Sequence, residues 1–111
     1  MKTSAKNPRV ETTLLVANSA LDKAFSEGYK ITHMKLQKII YLTHKKYLET
    51  TGKPLFNEFF EVWTWGLVLP SVYQAFKHYR SLDISELYTI DGATLIVAKR
   101  HIDFYEALNW V

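Results

Sequence analysis

Residues 31–47, reading ITHMKLQKIIYLTHKKY, constrain the fold more than any other stretch, because a clear helix start leads into an apolar surface too wide for one neighbour. With residues spaced about 100° apart around a helix, Leu36, Ile39, Ile40, Thr43 and Tyr47 fall on one stripe, the pattern of a core-facing helix. Met34, Tyr41 and Leu48 make a second, adjoining stripe at heptad spacing. Only a narrow polar strip of Lys35, Lys38, Lys45, Lys46 and Glu49 is left. Two apolar stripes need packing partners on at least two sides, so a central buried helix is expected over about 32–49. Thr32 suits its N-cap, where a hydroxyl accepts from an unpaired backbone N–H of the first turn. Lys35 in that turn opposes the helix dipole.

The rest of the chain arranges itself around that helix. At 111 residues and 48% hydrophobic, it has apolar material for one core. Residues 1–13 are polar, contain Pro8 and read as a flexible arm, followed by a single domain over 14–111. Leu14, Ala17, Leu21, Ala24 and Phe25 share a helical stripe that stops at Gly28 and pairs with the central helix. Residues 50–54 read as a turn through Gly52 and Pro54. Phe60, Val62 and Thr64 then alternate with Glu61, Trp63 and Trp65, a short extended segment broken at Gly66. Pro70 suits the first turn of another helix, with Val72, Ala75, Phe76 and Tyr79 inward and an end near Arg80. Two β-rich runs, 87–90 and 94–97, flank Asp91-Gly92-Ala93, which predicts a small β-hairpin over about 87–97. Residues 100–111 regain helical spacing through Phe104, Leu108 and Val111 but have no C-terminal cap. Such an end docks tightly, pairs with another chain in an oligomer, or continues in a longer domain. The fold class expected is α+β, mainly α-helical, a helical core around the central helix with one small hairpin.

Chemistry is excluded more readily than assigned. There is no cysteine, hence no disulfide or thiolate metal site, in keeping with a reducing, cytoplasmic setting. No apolar run approaches a membrane span, and the N-terminal residues hold no signal-like apolar segment. His33, His44, His78 and His101 lack the spacing for a shared metal, and the glycines are isolated at 28, 52, 66 and 92, so no phosphate loop exists. Glu58 and Glu61 read better as a solvated face than as a catalytic pair. The expectation is a protein without enzymatic activity or cofactor. The strip of Lys35, Lys38, Lys45 and Lys46 offers nucleic acid a phosphate contact, but only Gln37 lies near it for base readout, so nucleic acid is the less favoured partner. Gln37 itself sits on the edge between apolar and basic surface, where its amide is expected to pin backbone groups of the 63–70 loop. Aromatics make up 14% of the chain. With both faces of the extended segment apolar, a partner-binding patch is expected from Phe59, Trp63, Trp65 and Tyr73, in which Trp63 is the more structural ring and Trp65 the more exposed.

Several residues occur together in a recognisable order: Val16-Ala17-Asn18; Ile31-Thr32 through Leu36-Gln37-Lys38 to Tyr41; Gly52, Pro54, Leu55 and Phe56; then Trp63, Gly66, Val68, Pro70 and Tyr73. In this the chain resembles the Panacea domain of the SocA and GepA type, found in bacterial antitoxins and in phage and mobile-element proteins. The resemblance spans about residues 14–80. It departs at Leu67, where the family usually has proline, and the family's domain usually continues with further helices beyond the length seen here. It implies a mainly helical protein-binding module that neutralises a partner toxin by direct contact, with delivery of that toxin to a protease as a further role. Leu36, Gln37, Lys38, Tyr41, Gly66 and Pro70 become the residues of a structural motif. A phage-borne inhibitor of a host defence protein, or a DNA-binding regulator using the lysine strip, are the alternatives.

Overall fold

The protein is described by a computed structural model covering residues 11–64 and 66–111. Four helices and one antiparallel ribbon follow in the order α1 (Thr13–Ser26), α2 (His33–Thr51), β1 (Glu61–Trp63), β2 (Gly66–Val68), α3 (Pro70–Phe76) and α4 (Ile102–Trp110), with a 3-10 turn, Lys77–Tyr79, extending α3. The mainly helical α+β class is the one expected. Of the arm anticipated over 1–13, residues 1–10 lie outside the described residues, while Glu11 is buried and its N–H donates to the Leu55 carbonyl at 2.8 Å.

α2 is the axis. Thr32 caps it, its hydroxyl accepting from Lys35 N at 3.2 Å, and the helix runs to Thr51 before Gly52 (φ 72°) closes it in the left-handed region. It is therefore longer than the sequence periodicity implied, and the turn begins at Gly52, two residues later than expected. Leu36, Ile40, Thr43 and Tyr47 are buried, and α1, α3 and α4 pack around them, α4 most extensively. α4 buries Phe104, Ala107 and Leu108, yet leaves Trp110 63% exposed. The second stripe is a different matter: Met34 and Leu48 are exposed and Tyr41 only half-buried. The fold covers one side of this helix and leaves the other apolar stripe on the surface.

α1 ends in a Schellman arrangement, Tyr29 N–H donating to the Ala24 carbonyl and Gly28 N–H to that of Phe25, with Gly28 at φ 78°. Its buried face carries three polar residues, Thr13, Asn18 and Ser19, and the last two decide the fate of the 87–97 region. The expected hairpin there is not formed. The Asp91-Gly92 turn does exist, with φ 49° and 81° as a type I′ turn requires, and Ile90 and Ala93 exchange both backbone hydrogen bonds across it. Pairing stops at that single bridge. The Asn18 amide instead donates to the carbonyls of Tyr88 and Leu95, both at 2.9 Å, and accepts from Tyr88 N at 2.8 Å. Ser19 Oγ accepts from Val97 N at 2.8 Å, and Tyr105 donates to the Val97 carbonyl. Side chains of α1 and α4 thus take the backbone groups that a second strand would have used. The ribbon lies instead at β1 and β2, paired Glu61 with Val68, Val62 with Leu67 and Trp63 with Gly66.

An aromatic seam joins α2 to the segment before β1. His44 stacks on Phe56 at 4.7 Å and lies 5.9 Å from Phe60, which meets Tyr41 edge-on at 5.5 Å. Near the other end of α2, His33 lies 5.4 Å from Tyr73. The Nδ1 atoms of His33 and His44 are buried without a hydrogen-bond partner among the described residues. Burial lowers both pKa values from the ordinary 6.5, since desolvation disfavours the imidazolium.

Two outcomes follow from these contacts. Asn18→Ala strands three part-buried backbone groups and should lower the unfolding free energy by about 2 kcal/mol, read by urea denaturation. Because the folded state resists protonating His44, stability from that residue is complete above the unfolded pKa and declines as pH falls below it. Relative to wild type, His44→Phe should therefore gain stability between about pH 7.5 and 5.5, measured as the difference between the two melting curves at each pH.

Candidate functional site

The ribbon gives the surface its sides. Cross-strand partners share a face, so Val62 and Leu67 stand together, and Glu61 with Val68 and Trp63 with Gly66 take their places along the same pairing. Val68 is fully buried and Trp63 half-buried, whereas Val62 is 83% and Leu67 40% exposed. Trp63 meets Tyr73 edge-on at 4.9 Å, and its indole N–H donates to Glu61 Oε1 at 2.8 Å. The exposed apolar face of the ribbon is the Val62 and Leu67 face. Phe59, just before β1, is 86% exposed.

Gln37 fastens this ribbon to α2. Fully inside the protein, its Nε2 donates to the Leu69 carbonyl at 3.2 Å and its Oε1 accepts from Leu69 N at 2.9 Å. A primary amide meeting the N–H and C=O of one residue satisfies both buried backbone groups at once. Leu69 is also the residue before α3, whose N-terminus is held by Glu58: its carboxylate accepts from Ser71 N at 2.8 Å and from Ser71 Oγ. Here an acid complements the free N–H groups and positive end of the helix. Glu58 and Glu61 are both engaged in structural hydrogen bonds.

Between α2 and β2 these contacts leave an open groove of about 390 Å³, lined by Met34, Lys35, Gln37, Lys38, Tyr41, Gly66 and Leu67. Its walls are the exposed half of α2 and the outer face of the ribbon. Gln37, Lys38, Tyr41 and Gly66, read from the sequence as motif residues, converge on it; Leu36 lies in the core beneath and Pro70 opens α3. Leu67 places an apolar side chain in the wall. Gly66, at φ 123°, takes a backbone conformation that favours glycine.

The four lysines divide. Lys35 and Lys38 rim the groove, Lys45 is exposed farther along α2, and Lys46 lies over the Trp110 ring with Nζ 4.5 Å from its centroid. Among the described residues no carboxylate pairs with Lys35, Lys38 or Lys45. Of the aromatic patch anticipated from the sequence, Phe59 is fully at the surface, Trp63 and Tyr73 meet edge-on, and Trp65 lies outside the described residues.

A second polar cluster has no signal in the sequence, its members being dispersed from one end of the chain to the other. His101 Nδ1 lies 2.5 Å from Glu11 Oε2, and its Nε2 is 3.2 Å from the Tyr47 hydroxyl. Burial, then the charges of Asp103 and Glu11, raise the Tyr47 pKa. The cluster ties the segment before α1 to α2 and to the start of α4. Among the described residues, no group of three or more histidines or acids is placed to hold a metal ion, and no helix is long and apolar enough to cross a membrane.

The profile of the family described as antitoxin SocA-like, Panacea domain, matches residues 36–108, which include Gln37, Lys38, Tyr41, Gly66 and Leu67. Antitoxin SocA of Caulobacter vibrioides (strain NA1000 / CB15N) is 40% identical over 72 residues, 65% of this chain, which spans only 38% of the length of that relative. No solved structure matches. The chain belongs to the antitoxin SocA-like, Panacea domain family.

Proposed function

We propose that this protein acts as an antitoxin, binding a toxic partner protein and blocking it by direct contact through the groove between α2 and the ribbon. The observation that carries the reading is the pairing of an unburied apolar stripe on the central helix with an exposed apolar ribbon face beside it. Both sides of the groove are apolar, concave and rimmed by unpaired cations, the make-up of a surface that buries a partner. Family membership supplies the antitoxin context. Inhibition of a defence protein would use the same contacts, and the co-expressed partner distinguishes the two. Delivery to a protease would need a second contact surface in addition to this one. Lys46 is held on Trp110, and Lys35 and Lys38 border an apolar floor, so the lysine strip favours a protein partner over a phosphate backbone.

The test is co-expression with the product of the neighbouring toxic gene. Wild type should restore growth and co-purify with it; failure to rescue from any neighbouring toxic gene would overturn the antitoxin reading. Outside the groove lining, the aromatic residues read from the sequence as a partner-binding patch separate by role. Phe59→Ala, at a ring with almost no internal contact, should leave the melting temperature unchanged and weaken the complex by about 2 kcal/mol, the loss typical of an aromatic hot spot. Trp63→Ala removes the edge-on Tyr73 contact and the Glu61 bond, and should lower the melting temperature as well. Titration calorimetry and melting curves of the two variants measure this split.

A further inference from the structure

The exposed stripe of α2 says more about the partner than that one exists. Met34, Tyr41 and Leu48 recur every seven residues, so they form a nearly straight seam along the helix. From the first to the last the seam covers roughly 21 Å of helix axis. The fold gives Met34 and Leu48 no cover, and Tyr41 only partial cover from Phe60. Leu67 lines the groove together with Met34 and Tyr41, so the first half of the seam has a wall, while Leu48 lies outside the groove lining. Such a trough is suited to a rod about four turns long, not to a single inserted side chain.

Charge settles the chemistry of the rod. Lys35, Lys38 and Lys45 flank the seam, and among the described residues none has a carboxylate partner. Covering them with a neutral or basic surface would leave ammonium groups desolvated without compensation, whereas carboxylates on the occupant would pair with them. The chain's own first ten residues carry Lys2, Lys6 and Arg9 and no acid, so they lack the complementary charge.

Taking the groove as the contact face, we infer that the partner docks an acidic amphipathic helix along the Met34, Tyr41 and Leu48 seam, with its carboxylates against Lys35, Lys38 and Lys45. The apolar side of the incoming helix meets the seam and Leu67, in the manner of helix-in-groove recognition. Leu67 then acts as a specificity position, since it shapes the one wall of the trough.

The inference is tested on the full chain with a defined probe, a phage-displayed library of sixteen-residue peptides carrying leucine at heptad a and d positions and random residues elsewhere. Wild type should enrich Asp and Glu at the positions flanking the seam. The triple variant Lys35→Glu, Lys38→Glu, Lys45→Glu should enrich Lys and Arg there instead. Leu67→Asp should weaken a selected peptide by about thirtyfold, and Leu48→Asp should do likewise at the open end. All five positions are exposed, and circular dichroism checks that each variant keeps its helix content. Enrichment that ignores the charge reversal, binding that survives both leucine substitutions, or no enriched peptide at all overturns the assignment. Those outcomes are separable from loss of the antitoxin role, which growth rescue reads independently.

Discussion

The two hydrogen bonds between the Gln37 amide and the backbone of Leu69 are the constraint on which the groove beside α2 depends. They join the first half of α2 to the junction of β2 and α3, two regions with no short connection along the chain. At a buried position their worth is asymmetric: intact they add modest stability, but either one broken leaves a polar group desolvated inside the protein. The ribbon is only three residues per strand, too short to hold itself in place. Its position relative to α2, and therefore the existence of the groove, comes from this amide together with the burial of Val68 and Leu69 and the edge-on contact of Trp63 with Tyr73. Glu58 completes the junction by holding the first N–H groups of α3.

A parallel device operates on the opposite side of α2. Asn18 and Ser19 sit fully buried on α1, where polar residues would ordinarily cost stability, and they recover that cost by binding the backbone of 88–97. This explains how a segment with the composition of a hairpin is held as an irregular loop. The Asp91-Gly92 turn formed because it depends only on local φ angles; the ladder beyond it did not, because strand pairing competes with any other set of donors and acceptors in reach. Asn18 and Gln37 thus do the same physical work, each replacing secondary-structure pairing with a side-chain amide.

α2 serves as both axis and surface. Its Leu36, Ile40 and Tyr47 side fills the core, and its Met34, Tyr41 and Leu48 side remains available. Apolar groups left exposed on one stripe of an otherwise well-covered helix are a cost that partner binding can offset. On the proposed antitoxin reading, a protein partner supplies that cover. The buried Glu11, His101 and Tyr47 cluster lies away from this face and acts on architecture, binding the segment before α1 to the helices at the other end of the chain.

Local chemistry determined the central helix, its Thr32 cap, the stops at Gly28 and Gly52, Pro70 at the start of α3 and the turn at Asp91-Gly92, because each depends on residues within one or two helical turns. The edge position of Gln37 even pointed to the 63–70 loop, and the partner found there is Leu69. Tertiary structure decided the rest. Periodicity showed that α2 has two apolar stripes, but not that the fold covers only one of them, since that depends on where three other helices pack. Alternation in 60–65 separated Trp63 from Val62, yet which face turns inward follows from Val68 being buried and from Tyr73 meeting Trp63. The 87–97 hairpin was the expectation that long-range contacts overturned: Asn18, some seventy residues away in sequence, offered the backbone better-placed partners than a second strand did. Spacing along a chain records what neighbours can do, whereas a buried amide finds its partner only once the helices have met.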